Sequence, residues 1–227
     1  MACGREHSAC IVSDDGGVFA WGLNTHGQLG VGHNLTATDT PRKLPHKGVT
    51  QVACGGQHSL LLQEDGSVMA CGSNSLGQLG TDKTSQLDLF EKPTRVRINE
   101  QVVAVSAGQW HSLMLAKDGS VFASGDNSRG QLGRHHDAAP FINLPVKIEG
   151  LPKCTQIESA VYSAAISENG DLFIWGSGDF GEYWTPQRVS GIPSRAKRCS
   201  VSSSHICVMD VDGMPWVWGS NKKGELG

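Results

Sequence analysis

Four histidines occupy equivalent positions along the chain, and such a set of side chains is a candidate for metal binding. They are His7, His58, His111 and His205. Imidazole nitrogens are common metal ligands, so recurring histidines raise the question of shared coordination. Glycine-rich stretches raise a second question, because "NTHGQLGVG" (24–32) and "GSGDFG" (176–181) have the composition of loops that cradle phosphate groups. Whether either chemistry is possible depends on the elements that carry these residues.

Both patterns recur once in every unit of an internal repeat. The glycine that ends each Trp-Gly, Cys-Gly or Ser-Gly step is spaced by 50, 53, 51 and 43 residues, at Gly22, Gly72, Gly125, Gly176 and Gly219. A marker residue precedes this glycine by 15, 14, 14, 13 and 14 residues, if Ser163 takes the place of histidine in the fourth copy. The marker residue and the glycine keep nearly the same separation in all five copies, and this identifies a repeat protein.

Each unit contains a predicted β-hairpin. Short apolar runs flank Asp65-Gly66, Asp118-Gly119 and Asn169-Gly170, and these dipeptides accept the backbone angles of tight turns between antiparallel strands. A proline and another short apolar run follow each glycine-rich stretch. Every unit therefore resembles four short antiparallel strands, the content of one propeller blade. Such blades must stack on one another to bury a core.

The sequence predicts an all-β protein, a β-propeller of four-stranded blades of about 51 residues each in one domain spanning 1–227. We expect four full blades and two half blades, at 18–65, 68–118, 121–169, 172–211, 1–15 and 214–227. The half blades leave two possibilities. An open, partial propeller is the arrangement we expect, and a small ring closed by pairing of the two halves is the alternative.

In a propeller the recurring residues are interpreted as structural. Equivalent positions of adjacent blades lie too far apart for the roughly 2 Å bonds of a shared metal. We expect half-buried histidines that bond to the backbone of a neighbouring blade, and glycine-rich stretches that act as turns. One leucine from each turn should anchor the core between blades, at Leu29, Leu79, Leu132 and Leu226. Catalytic residues, a metal site and a cofactor are not predicted.

Composition narrows the class of partner. The net charge of −3 gives no overall attraction to nucleic acid or to an anionic membrane, and no apolar run approaches the length that spans a bilayer. Seven cysteines without a Cys-x-x-Cys pair argue against a disulfide framework or a zinc site. We expect a reduced, intracellular protein, cytoplasmic or nuclear.

One stretch, "CGGQHSLLLQEDGSVMACGSNSLGQLG" (54–80), closely resembles the repeat of the regulator of chromosome condensation (RCC1-like) family. The likeness extends over essentially the whole chain and implies a β-propeller, which has seven blades in that family. This chain departs from the pattern in its length and in the fourth unit, where "GEYW" (181–184) replaces the usual glycine-rich ending.

The leading functional hypothesis is a non-catalytic scaffold that binds another protein through its loops. The alternative, implied by the resemblance, is guanine-nucleotide exchange on a small GTPase similar to Ran, with chromatin association. Self-association through open blade edges is a further expectation. The candidate contact residues are Arg134, His135, His136, Phe180, Tyr183, Trp184, Arg195, Lys197 and Arg198.

Overall fold

A computed structural model describes residues 1–12, 16–32, 35–82, 88–135, 139–178 and 181–227. The described residues form β-strands joined by turns and loops, in five antiparallel sheets. Sheet one holds β1 (Ala2–Cys3), β2 (His7–Val12), β3 (Gly17–Leu23) and β4 (Ala37–Lys43). Sheet two holds β5 (Val49–Cys54), β6 (His58–Gln63), β7 (Val68–Ser73) and β8 (Leu89–Arg95). In this part of the chain, no helix is long and apolar enough to cross a bilayer.

The remaining sheets repeat the same meander. Sheet three holds β9 (Val102–Ala107), β10 (His111–Ala116), β11 (Val121–Asp126) and β12 (Phe141–Lys147). Sheet four holds β13 (Cys154–Ser159), β14 (Ser163–Ser167), β15 (Leu172–Gly178) and β16 (Gly181–Arg188). Sheet five has three strands, β17 (Ala196–Val201), β18 (His205–Asp210) and β19 (Pro215–Gly219).

The sheets stack as blades around a common axis. The first strand of every sheet lines one central cavity of about 870 Å³. The fourth strands lie at the periphery and are the most exposed, as in β4 and β12. Each sheet packs against the sheet that follows it in the chain. In none of the five described sheets do the first and last strands pair with each other. This is the predicted all-β, partial propeller.

Four apolar clusters fill the four junctions between neighbouring sheets. The loop leucines contribute as expected, because Leu29, Leu79 and Leu132 are fully buried, each in a different cluster. Leu226 is half-buried at the end of sheet five. The core of the molecule is therefore a series of layers between blades.

The sheets are offset by two strands from the units that the sequence defines. The unit at 18–65 supplies β3 and β4 to sheet one and β5 and β6 to sheet two. Residues 1–15 were expected to be a half blade, but β1 and β2 pair with the strands that follow and complete sheet one. At the other end, β19 pairs with β18, and among the described residues no pairing joins β19 to β1 or β2. A sequence period gives the length of a repeat, and hydrogen bonding decides where a sheet begins.

The predicted Asp-Gly hairpins are confirmed. The carboxylates of Asp65 and Asp118 accept hydrogen bonds from the backbone N–H groups of Ser67 and Ser120, at 2.8 and 2.9 Å. Only the glycine of each pair takes a positive φ, for example 81° at Gly66, which glycine adopts without steric cost. Asp14 lies outside the described residues.

Candidate functional site

The topology brings the marker histidines and the glycine-rich loops to one end of every sheet. In an antiparallel meander, the turn after the first strand and the loop after the third strand lie at the same end. We call this the loop end, and we call the opposite end, which carries the Asp-Gly turns, the hairpin end. The recurring residues therefore meet at the loop end of the junctions between sheets.

A three-residue hydrogen-bonded chain joins sheet one to sheet two at this end. The Nε2 atom of His7 lies 2.8 Å from the Oγ atom of Ser59 in the next sheet. The Ser59 hydroxyl donates in turn to the backbone carbonyl of Gln28, in the glycine-rich loop of sheet one, at 2.7 Å. We call this arrangement the His–Ser–Gln relay.

The relay repeats at the next two junctions. His58, Ser112 and the carbonyl of Gln78 join sheets two and three, with distances of 2.9 and 2.6 Å. The third relay joins sheets three and four at 2.8 and 2.9 Å. Its members are His111, Ser163 and the carbonyl of Gln131. The histidines therefore link blades, as expected, but through a serine side chain of the neighbouring blade.

The relay determines the protonation of its histidines. Because the Ser59 hydroxyl donates its hydrogen bond to the Gln28 carbonyl, its oxygen accepts a hydrogen bond from the Nε2–H group of His7. Burial lowers the pKa of His7 to about 4 and the pKa values of His58 and His111 to about 3. These rings are buried and neutral, which corrects the expectation that they are half-buried.

The glycine three residues before each relay histidine makes room for its ring. A Cβ atom built on Gly4, Gly55 or Gly108 would lie within 3 Å of the Cε1 atom of the histidine that follows. Real side chains do not approach so closely, so alanine at these positions would displace the ring. The Gly-x-x-His-Ser spacing is thus explained by packing.

The glycine-rich loops are turns held by their own asparagine. The Oδ1 atoms of Asn24 and Asn74 accept hydrogen bonds from the backbone N–H groups of Leu29 and Leu79, each at 3.0 Å. Each loop leads into an outer β-strand rather than a helix. Their backbone N–H groups are used within the turns, which supports the structural interpretation over phosphate binding.

The fourth unit requires a correction of register. Ser163 pairs with Trp175 across β14 and β15, as Ser59 pairs with Cys71 in sheet two. Ser163 is therefore the relay serine, and Tyr162 occupies the histidine position. The turn before it is one residue shorter, since the N–H of Ala160 bonds to the carbonyl of Tyr162. This deletion explains the anomalous lag of 13 residues, because Tyr162 precedes Gly176 by the usual 14.

In the part of the chain that the structure describes, no relay joins sheets four and five. Ile206 stands at the serine position of sheet five and is fully buried in the apolar cluster of that junction. The Tyr162 hydroxyl donates to the carbonyl of Gly181 within its own sheet, at 3.1 Å. In sheet five, the Nδ1 atom of His205 lies 2.8 Å from the hydroxyl oxygen of Ser202, which occupies the position of the marker glycine.

All seven cysteines are free thiols, and four of them are buried, at Cys54, Cys71, Cys154 and Cys199. Cys71 and Trp175 share one position and donate to the carbonyls of Gln28 and Gln131, at 3.5 and 2.9 Å. Burial raises the pKa of the Cys54 thiol to about 12, which leaves it protonated at neutral pH. Cys3, by contrast, is exposed. Among the described side chains, no cluster of three or more His, Cys, Asp or Glu is arranged to hold a metal ion.

The structure brings together two of the predicted contact segments that lie about 50 residues apart in the sequence. The rings of His135 and Trp184 lie 5.1 Å apart, between centroids, at the loop end near the periphery of sheets three and four. Arg134 and Tyr183, each half-buried, are their neighbours in the chain. His136 and Phe180 lie outside the described residues.

The basic segment does not join this group. Arg195, at the hairpin end, donates to the backbone carbonyls of Asn169 and Glu168 at 2.8 and 3.0 Å. It thereby holds the hairpin turn of sheet four. Lys197 and Arg198 are exposed on β17 and line a separate cavity beside the axis.

A cleft of about 260 Å³ opens at the loop end between sheets three and four. We call it the junction cleft, and its lining includes Trp110, Asp126, Arg129 and Gln131. On the other side of this turn, a Cβ on Gly130 would meet Trp184 at 2.9 Å. Sequence reasoning missed Asp126 and Arg129. The available signal was that "SGDNSRG" carries two charges where "CGSNSLG" carries none.

A family model described as the RCC1-like domain matches residues 1–227. The chain belongs to the RCC1-like domain family. The relative HERC6, a probable E3 ubiquitin-protein ligase from Homo sapiens, is 35% identical over 100% of this chain and 19% of its own length. The secretion-regulating guanine nucleotide exchange factor of Bos taurus is 31% identical over 98% of this chain and 52% of its own length.

The family assignment agrees with a solved structure. Human WBSCR16 superposes on 96% of this RCC1-like chain with a TM-score of 0.85 and 27% identity, covering 61% of that protein. The chain thus spans about half or less of the curated relatives it matches, and under two thirds of WBSCR16. The relatives share the repeat and its fold, although their names describe different activities.

Proposed function

We propose that this chain is a non-catalytic interaction scaffold that binds a protein at the loop end of sheets three and four. The surface comprises the junction cleft together with Arg134, His135, Tyr183 and Trp184, and we call it the junction surface. The observation that carries the proposal is the contact between two segments about 50 residues apart, beside the turn whose other side lines the cleft.

The composition of the junction surface supports binding of a protein. Tryptophan, tyrosine and arginine are the residues most enriched among those that dominate binding energy in protein interfaces. Trp184 and Tyr183 are half-buried, so part of each ring is accessible to a partner. Both residues belong to a β-strand, which holds them in place before a partner binds.

The propeller itself does not require an aromatic residue here. Three glycines, Gly27, Gly77 and Gly130, are equivalent in the loops of sheets one to three. A Cβ on the first two would contact Glu91 and Asn143, where the third would contact Trp184. Glu91 and Asn143 therefore occupy the positions equivalent to Trp184. Among these three positions, tryptophan is found only at the junction of sheets three and four.

The test compares two single variants that change equivalent positions. The native chain, Trp184→Asn and Asn143→Ala would be immobilised, and proteins bound from an extract of the source cells would be quantified by mass spectrometry. We expect a set of proteins to bind the native chain and Asn143→Ala but to be depleted at least fivefold by Trp184→Asn. Equal recovery on all three chains would contradict the proposal.

Guanine-nucleotide exchange is the second candidate function, and one observation favours it. The relative from Bos taurus, which matches nearly the whole chain, is named as an exchange factor. Exchange requires no proton-transfer group, because a partner surface that separates the nucleotide-binding loops of the GTPase is sufficient. Release of labelled GDP from a panel of small GTPases would test it. Acceleration above the intrinsic rate that Trp184→Asn abolishes would assign exchange to the junction surface.

A further inference from the structure

We propose that the junction cleft receives a positively charged side chain, arginine or lysine, from the bound protein. This inference rests on the proposed function, because it names the chemistry by which the junction surface recognises its partner. The residue responsible is Asp126, which lines the cleft.

Asp126 is a buried carboxylate whose charge is not neutralised within the described part of the chain. Only 8% of the residue is exposed. Its Oδ1 atom accepts a hydrogen bond from the N–H of Ser128 at 2.9 Å, and its Oδ2 atom accepts from the hydroxyl of Ser128 and the amide of Gln131 at 3.0 and 2.8 Å. These neutral donors offset part of the cost of burying the charge, but none of them supplies a positive charge.

The fold does not require a charge at this position. Asp126 ends β11 and pairs with Phe141, as Ser73 ends β7 and pairs with Leu89. Leu23 occupies the same position at the end of β3. A leucine and a serine therefore suffice in the first two sheets. A carboxylate is placed only where the cleft and the aromatic residues of the junction surface are found among these three sheets.

The lining of the cleft favours a cationic side chain over a metal ion. Asp126 is the one carboxylate among the lining residues, whereas a hard divalent cation takes six or more oxygen ligands. His111, which also lines the cleft, is neutral because burial lowers its pKa to about 3. A guanidinium or ammonium group needs only one carboxylate to form a charge-assisted hydrogen bond.

Arg129 adds a positive charge to the lining of the same cleft. It lies at the exposed rim of the cleft, and its backbone N–H bonds to the side chain of Gln131 at 2.8 Å. Its positive charge repels an incoming cation in the free protein. Removing that charge with Arg129→Gln should therefore strengthen binding of a cationic probe by two- to fivefold.

The experiment uses two probes that have nearly the same shape. N-acetyl-arginine methylamide and its uncharged analogue N-acetyl-citrulline methylamide would be titrated into the ¹⁵N-labelled chain, following the amide signals of Asp126, Ser128 and Gln131. We expect saturable shifts with the arginine probe at millimolar concentration, and binding at least tenfold weaker with the citrulline probe. Equal responses to both probes would overturn the proposal.

Two variants test whether Asp126 is the residue that binds the arginine probe. Asp126→Ser copies the serine that sheet two uses at this position, and we expect it to weaken arginine binding at least tenfold. Asp118→Ser is the matched control, because Asp118 accepts the same pair of hydrogen bonds from Ser120 but lies exposed at the hairpin end. Binding that survives in Asp126→Ser, or that is lost equally in Asp118→Ser, would contradict the assignment.

The proposal and the proposed function fail in different ways. If Trp184→Asn loses its partner while Asp126→Ser retains the same partner, the junction surface is an interface but the cleft does not recognise a cation. If neither variant affects capture and the arginine probe still binds through Asp126, the cleft binds a cation outside the proposed interface.

Discussion

The first three junctions between sheets and the fourth junction hold their blades together in different ways. A buried histidine, a serine and a backbone carbonyl connect each of the first three pairs of sheets. The fourth pair has Tyr162 and Ile206 at the corresponding positions and packs through an apolar cluster. The same β-meander therefore accepts either a polar or an apolar connection between blades.

The difference shows that the residues of the relay depend on one another. Histidine needs glycine three positions earlier for space and serine in the next sheet as a partner for Nε2. At the fourth junction all three are replaced together, by Ala160, Tyr162 and Ile206. A relay that kept only one of its members would leave a buried polar group without a partner, which is costly.

The largest effect should come from filling the space beneath a relay ring. In Gly55→Ala, the new Cβ would collide with the ring of His58 and with the backbone carbonyl of Gly108. We expect a loss of about 4 kcal/mol or more in the free energy of unfolding, measured by urea denaturation. The reverse change at the fourth junction, Ala160→Gly, should cost less than about 1 kcal/mol. Similar losses in both variants would refute the steric explanation.

Removal of a relay serine should have the next largest effect. Ser112→Ala leaves the Nε2–H group of His58 and the carbonyl of Gln78 buried without their partner. We expect a loss of about 2–3 kcal/mol by the same measurement. Ser67→Ala, at an exposed hairpin turn, is the control and should change stability by less than about 0.5 kcal/mol. An equally small effect of Ser112→Ala would show that the relay does not stabilise the junction.

Acid should weaken the relay junctions and spare the fourth. The pKa of His58 is about 3 in the folded state against 6.5 for the free side chain, so the unfolded chain binds the proton more readily. Stability is therefore fully present above pH 6.5 and falls as the pH drops towards the folded pKa. Between pH 7.5 and 5.5 each such histidine should cost about 1.4 kcal/mol.

The variant His58→Gln isolates one histidine in that measurement. Its loss of stability between pH 7.5 and 5.5 should be smaller than that of the native chain by the contribution of one relay. A variant of the fourth junction, Tyr162→Phe, should retain the pH dependence of the native chain. If His58→Gln kept the full acid sensitivity, the histidines of the relay would not be its cause.

The smallest effect should come from the tyrosine of the fourth junction. Tyr162→Phe removes one hydrogen bond, from the hydroxyl to the carbonyl of Gly181, and keeps the buried ring. We expect a loss of about 1 kcal/mol in the free energy of unfolding. A loss as large as that of Ser112→Ala would mean that this junction also depends on a polar connection.

The sequence predicted the fold well where a residue acts through its local backbone. The Asp-Gly turns, the strands beside them and the loop leucines are confirmed because glycine and short apolar runs constrain their own segment. The register of the fourth unit was wrong because Tyr162 has no similarity to histidine, and only strand pairing reveals its position. Asp126 was missed because nothing in its own segment indicates that the carboxylate is buried.

The sequence by itself determined that this protein is a stack of like units, since glycine, histidine and leucine recur in the same order in successive units. Only the tertiary structure decided what those residues do. Hydrogen bonds between neighbouring strands assigned β1 and β2 to the first blade, and contacts across junctions showed that each relay histidine serves the next blade. The physical reason is the distance along the sequence over which each interaction acts. Turn and strand preferences depend on a few neighbouring residues, whereas the relay and the junction cleft join residues from different blades.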